Sequence, residues 1–202
     1  MTKSTFKKRY GIKLAASIAT GLIGMVVVAV VPKAIGPVAF GQFVYLQQFF
    51  IKIIGFLDAG SSIAFFTKLS AKPERKELIT FYFIYSFLIL TILSVFVSVS
   101  DYLGYALLWF PDVEHKYIYW GLGFGYLTWF TQLLIKVSDA YALTVSIELI
   151  KILHKIFSLF LLVYLIEYTS FDLLAFFYFN LITLFVFVLI VLYLFSKNKI
   201  IP

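Results

Sequence analysis

The chain has 202 residues and a formal net charge of +7, and it is 62% hydrophobic, 20% aromatic and only 13% charged. Mean hydropathy is +1.00, whereas a soluble domain has a charged fraction nearer a quarter, so the chain lacks the polar groups to cover a water-facing surface. It contains no cysteine, which excludes disulfides, thiolate catalysis and cysteine metal sites.

Long apolar segments occupy 14–32, 39–67, 78–100, 117–139, 140–166 and 173–195. Each has roughly the 20 residues that a helix needs to cross a hydrocarbon core about 30 Å thick. A membrane barrel would instead show short segments of alternating polarity. The predicted fold is therefore all-α, an integral membrane bundle of six transmembrane helices forming one domain over 1–202.

The basic start, residues 1–13, leads into the first span with no small-residue cleavage site, which marks a retained helix and not a removed signal peptide. Lys13, Ser17, Thr20 and Gly24 share one face there, and Pro32 is read as the terminator of the span. In the second span Gln48, Lys52, Gly55, Ala59 and Ser62 form a polar or small stripe with Asp58 beside it. Lys52 falls about 18 Å from Phe40 along a helix, near mid-membrane. The third and sixth spans contain no Asp, Glu, Lys or Arg.

The stretch 102–110 is apolar but too short to cross, so it either lies at the interface or extends span three. In the fourth span Gly121, Gly125, Thr128, Gln132, Lys136 and Asp139 fall on one line, and the two glycines read as a close helix-packing pair. In the fifth, Thr144, Glu148, Lys151, Lys155 and Ser158 do the same, with Lys155 about 17 Å from Ile166. His154 reads as an interior hydrogen-bonding residue and His115 as a solvated one.

Charge sets the expected orientation. Lys3, Lys7, Lys8, Arg9 and Lys13 precede span one; Lys68, Lys72, Arg75 and Lys76 follow span two; Lys136, Lys151 and Lys155 flank the junction of spans four and five; Lys197 and Lys199 follow span six. The opposite side carries Asp101, Asp112, Glu114, Glu167 and Asp172 with Lys33 and Lys116. The positive-inside rule places the basic side and both termini in the cytoplasm. The net charge thus needs no nucleic-acid partner, and it also favours contact with anionic membrane lipids.

A cation at mid-membrane costs about 2.5–3.5 kcal/mol on insertion scales. Lys52 and Lys155 are therefore expected to line a polar cavity between helices. Lys136 with Asp139, and Glu148 with Lys151, are spaced to neutralise each other. Asp58 is a counter-ion to a lysine, a helix–helix tie or part of the cavity wall. No phosphate-cradling Gly-rich loop, metal-ligand spacing or catalytic triad occurs, so neither an enzyme, a metal nor a cofactor is expected.

One stretch is more specific. The run from Pro32 to Leu46, with Gly36, Pro37, Phe40, Gly41 and Phe43, resembles the first outer loop and second-span entry of bacterial polysaccharide (O-antigen and capsule) flippases. These belong to the multidrug/oligosaccharidyl-lipid/polysaccharide exporter superfamily. Gly55 to Ser62, with Asp58, Ala59 and Gly60, looks like that family's Asp-x-Gly segment, and Lys68 to Ser70 like its cytoplasmic end.

The resemblance implies two pseudo-symmetric bundles of six helices in a bacterial inner membrane. It also implies alternating access and a cationic cavity for an undecaprenyl-diphosphate-linked sugar repeat. This chain holds about one bundle and is read as the N-terminal half, with the C-terminal lobe as its partner. On that reading Lys52 and Lys155, with Lys136 and Lys151 at the entrance, attract the diphosphate. Gln48 and Gln132 meet sugar hydroxyls, while Asp58, Asp139 and Glu148 tune or pair the lysines. The competing readings are a cation-coupled drug exporter of the same superfamily, which favours a deep carboxylate, and a non-transporting scaffold in polysaccharide synthesis.

Overall fold

The computed structural model describes residues 6–200; Lys3, counted above toward the basic side, lies outside the described residues. Among the described residues all regular structure is helical. The elements are α1 (Phe6–Ile35), α2 (Pro37–Asp58), α3 (Ser61–Ala71), α4 (Glu77–Tyr102), α5 (Ala106–Trp109), α6 (His115–Ala140), α7 (Thr144–Tyr168) and α8 (Leu173–Lys197).

Five of these, in α1, α2, α4, α7 and α8, are long and apolar enough to cross a membrane, which marks a multi-pass membrane protein. Their outward faces agree: Met25, Phe81, Phe87, Phe160, Phe185 and Tyr193 are all more than half exposed. On a soluble protein such continuous apolar faces would have to be covered. Helix α6 has 26 residues but is not among the five. Its position explains its composition, because it packs against α2, α3, α4, α7 and α8. A helix ringed by protein has less need of a uniformly lipophilic surface, so Gly121, Gly123, Gly125, Thr131 and Ser138 are tolerated there.

Two boundaries differ from the sequence expectations, and at a third the structure decides between two alternatives. Helix α1 runs through Pro32 and ends at Ile35. The break comes at Gly36, whose φ of 88° a side chain would oppose, and Pro37 then opens α2 where its missing N–H costs nothing. The predicted span 39–67 is not one helix. Ala59 (φ 43°) and Gly60 (φ 80°) both adopt the left-handed conformation and separate α2 from α3. The stretch 102–110 does not extend α4; it forms the short α5, pinned by Phe96 stacked on Trp109 at 5.3 Å and by buried Ala106 and Phe110.

The core has two halves along α6. One gathers Leu46, Phe50, Ile118, Leu122 and Phe177; the other gathers Leu69, Ile79, Leu134, Val137 and Phe195. The expected close packing at the glycine pair is present. A Cβ on Gly121 would stand 2.9 Å from Leu46 Cβ, and one on Gly125 2.6 Å from Phe50 Cβ. Helices α2 and α6 therefore touch nearly backbone to backbone, as paired small residues permit.

This contact makes a graded prediction for thermal unfolding of the detergent-solubilised chain. Gly125→Ala should destabilise by about 1–3 kcal/mol, since the opposing atom is a Cβ that cannot swing aside. Gly21→Ala, which meets nothing within 4 Å, should be neutral or stabilising by up to about 1 kcal/mol because alanine is the better helix former. Equal effects at the two positions would contradict the packing.

Candidate functional site

A cavity of about 510 Å³ lies within the bundle, walled by residues of α1, α2, α6, α7 and α8. One part of its wall is aromatic, with Phe40, Phe43, Phe124, Phe176 and Phe179. The polar part comes mainly from α6 and α7. Helix α6 supplies Thr128, Thr131 and Gln132, and α7 supplies Lys151, His154, Lys155 and Ser158 at a spacing that keeps them on one face. The wall contains two lysines and no carboxylate.

The predicted site residues separate into two groups. Lys151, Lys155 and Gln132 line the cavity. Lys151 also donates to Glu148 Oε2 at 3.1 Å, in the i,i+3 pair expected, and Glu148 is buried behind it. No ion pair of Lys155 occurs among the described residues. The structure does not bring Lys52 and Gln48 to this cavity. Both lie on an exposed face of α2, and Gln47 lines the wall instead; one residue turns a helix by about 100°. The expectation that the amines of positions 52 and 155 share one hollow is therefore corrected for this cavity.

The remaining residues make structural ties. Lys136 and Asp139 do not pair with each other. Lys136 donates to Ser62 Oγ at 2.7 Å, while Asp139 accepts from Lys13 Nζ and from Thr144 Oγ1, each at 2.7 Å. Partners on other helices win over the i,i+3 neighbour because they also join α6 to α1 and α3. Asp58 is buried and accepts from Ser62 N–H at 3.1 Å, Ser62 Oγ at 2.7 Å and Tyr82 OH at 2.8 Å. It is a helix–helix tie, and not a counter-ion to Lys52. Through Ser62 it also reaches Lys136, so one carboxylate collects α2, α3, α4 and α6.

The histidines fall on either side of the expectations. His154 is interior: its Nε2 lies 2.8 Å from the Thr183 carbonyl, and its ring packs on Phe187. His115 is exposed but not merely solvated, because its Nδ1 contacts the carboxylate of Asp101, which also accepts from Tyr119 OH at 2.9 Å.

Thr131, Gln47, Asn180 and Thr183 also line the cavity and were missing from the predicted site. Thr131 lies one residue off the line of polar α6 positions, although its i,i+3 relation to Thr128 was readable. Comparisons with known protein families, with curated proteins and with solved structures found no match.

The Asp58 tie is testable. Hydrogen bonds to a charged group contribute about 1.5–3 kcal/mol each, so Asp58→Ala should destabilise the chain by at least about 3 kcal/mol and Tyr82→Phe by about half as much. On the Asp58→Ala background, the Tyr82→Phe effect should shrink toward zero. A double-mutant cycle of unfolding free energies in micelles measures this, and additive losses would show that the two groups are not coupled.

Proposed function

We propose that this chain is the N-terminal lobe of a transporter that moves undecaprenyl-diphosphate-linked polysaccharide repeats across a bacterial inner membrane by alternating access. In this reading α1, the α2–α3 pair, α4, α6, α7 and α8 form six crossings, with both termini in the cytoplasm. The observation that supports it is the cavity: a hollow inside an apolar bundle, cationic through Lys155, with Lys151 beside it paired to the buried Glu148 and no acid in the wall itself. Such a wall attracts an anionic head group, while the aromatic part accepts apolar or sugar-ring surface.

The resemblance at residues 32–46 and 55–62 supplies the substrate class and the second lobe. Gln48 and Lys52, exposed on α2, then face that second lobe and the passage between the two. A mid-membrane ammonium is costly against acyl chains, so a covered, polar surrounding is the cheaper place for Lys52. No covalent chemistry is involved, and the lobes rock about the site. The acid-free wall also weighs against a cation-coupled drug exporter, which needs a carboxylate at depth.

Two experiments test this. In cells that depend on the transporter for surface polysaccharide, Lys155→Ala should lower export by about tenfold or more, the scale of one lost charge-assisted contact. Unchanged export in Lys155→Ala combined with Lys52→Ala would remove the reading. The chain is free of cysteine, so Lys72→Cys provides a single label for an impermeant maleimide; it should react only from the cytoplasmic side, and reaction only from outside would invert the topology.

A further inference from the structure

Helix α2 is two-faced. Phe43, Leu46, Phe50 and Ile54 recur at helical spacing and are buried, and Leu46 and Phe50 on this side meet the glycine pair of α6. Gly41, Tyr45, Gln48, Lys52 and Gly55 recur in the same way on the opposite side, and all five are exposed. Helix α8 shows what a side turned to acyl chains looks like: every exposed residue between Tyr178 and Tyr193 is apolar or aromatic. The outward side of α2 instead presents a charge, an amide and two glycines.

Nothing inside the chain explains these groups. Gly41 and Gly55 meet nothing within 4 Å of where a Cβ would stand, so they do not serve packing within the bundle as Gly121 and Gly125 do, and glycine is a poor helix former. Gln48 stands at the middle of the 22-residue α2, with Lys52 one turn further on. No exposed charge follows until Lys68. Among the described residues the side chains of Gln48 and Lys52 have neither an ion pair nor a hydrogen bond. Small residues around a central polar group are the means by which transmembrane helices meet each other.

The charge selects the occupant. Acyl chains offer an ammonium no acceptor. A second copy seated α2 to α2 would bring Lys52 against Lys52, and like charges repel strongly at low dielectric. Other sides of a copy do not help. Asp58 and Glu148 are buried and already bonded, and every other carboxylate among the described residues lies in a loop or within two residues of a helix end. We propose that this side of α2 docks a transmembrane helix of a partner that carries one carboxylate at the level of Lys52. The two glycines let the backbones approach, and Gln48 adds a hydrogen bond across the joint. The inference uses only α2 and the charges of this chain, so it stands with or without the carrier reading.

The test uses the full chain in phosphatidylcholine vesicles. The chain has no cysteine, so Lys33→Cys carries a donor dye on an exposed position close in sequence to α2. The probe is an acceptor-labelled leucine–alanine transmembrane peptide with one central Glu, and peptides with Gln or Lys in its place are the controls. The Glu peptide should give saturable energy transfer at about tenfold or more lower density than the Gln peptide, the scale of one charge-assisted contact. The Lys peptide should give none. Lys52→Glu should invert this order, so that the Lys peptide is preferred. Gly41→Leu combined with Gly55→Leu should weaken the Glu peptide without lowering the melting temperature, because both positions are open.

No saturable transfer from any peptide, equal transfer from the Glu and Gln peptides, or an order that Lys52→Glu leaves unchanged overturns the proposal. So does saturable transfer between donor- and acceptor-labelled copies that Gly55→Leu removes, which would assign this side of α2 to a second copy. Export separates the docking site from the carrier reading. If the order inverts while Lys52→Ala combined with Lys155→Ala leaves export untouched, the carrier reading fails alone; if export is lost and the order never inverts, the docking site fails alone.

Discussion

A polar group carried into hydrocarbon must find its partner inside the protein, because water is not there to supply one. Most of the structure follows from this constraint. It explains why Asp58, Asp139 and Glu148 all end in contacts to other side chains. It explains why the threonines of α1, α4, α6 and α8 bond back to their own helices. Among the described residues the exceptions include the hydroxyls of Thr131 and Ser158, which have no hydrogen-bond partner, and Lys155, which has no ion pair.

The break between α2 and α3 belongs to the same account. A non-glycine residue in the left-handed region costs on the order of 1–2 kcal/mol, and Ala59 sits there with φ 43°. The carboxylate of Asp58 offsets that cost by capturing the first turn of α3 through Ser62 and a side chain of α4 through Tyr82. The charge is thus part of the backbone geometry. Ser62, held in this way, is also the acceptor that occupies Lys136, which keeps that amine out of the cavity. The bend and the placement of Lys136 are thus joined through one hydroxyl.

Much of the fold was legible because long apolar runs and paired glycines have few alternative uses. Gly121 and Gly125 sit where a side chain would collide with Leu46 and Phe50. The i,i+3 pair of Glu148 and Lys151 formed as its spacing allowed, and His154 went inside. The site was less legible. A polar stripe identifies one face of a helix but not what stands opposite that face, so Lys52 and Lys155 were placed together although only Lys155 lines the cavity. The same limit applied to Lys136 and Asp139, whose partners are 74 and 126 residues away in sequence. The helix break was hidden for another reason: Asp58, Ala59 and Gly60 read as a motif, while the conformation of Ala59 depends on contacts that only the folded chain supplies.

Helix α1 is attached differently from the rest. Among its described side chains only Ala16 and Val31 are fully buried, while α6 buries residues along its whole length. Yet α1 contributes Thr20, Ile23, Gly24, Val27 and Val28 to the cavity wall. The hollow is therefore walled by helices of unequal burial. Prising α1 from the bundle would uncover few fully buried side chains, whereas parting α2 from α6 would open a joint seated nearly backbone to backbone.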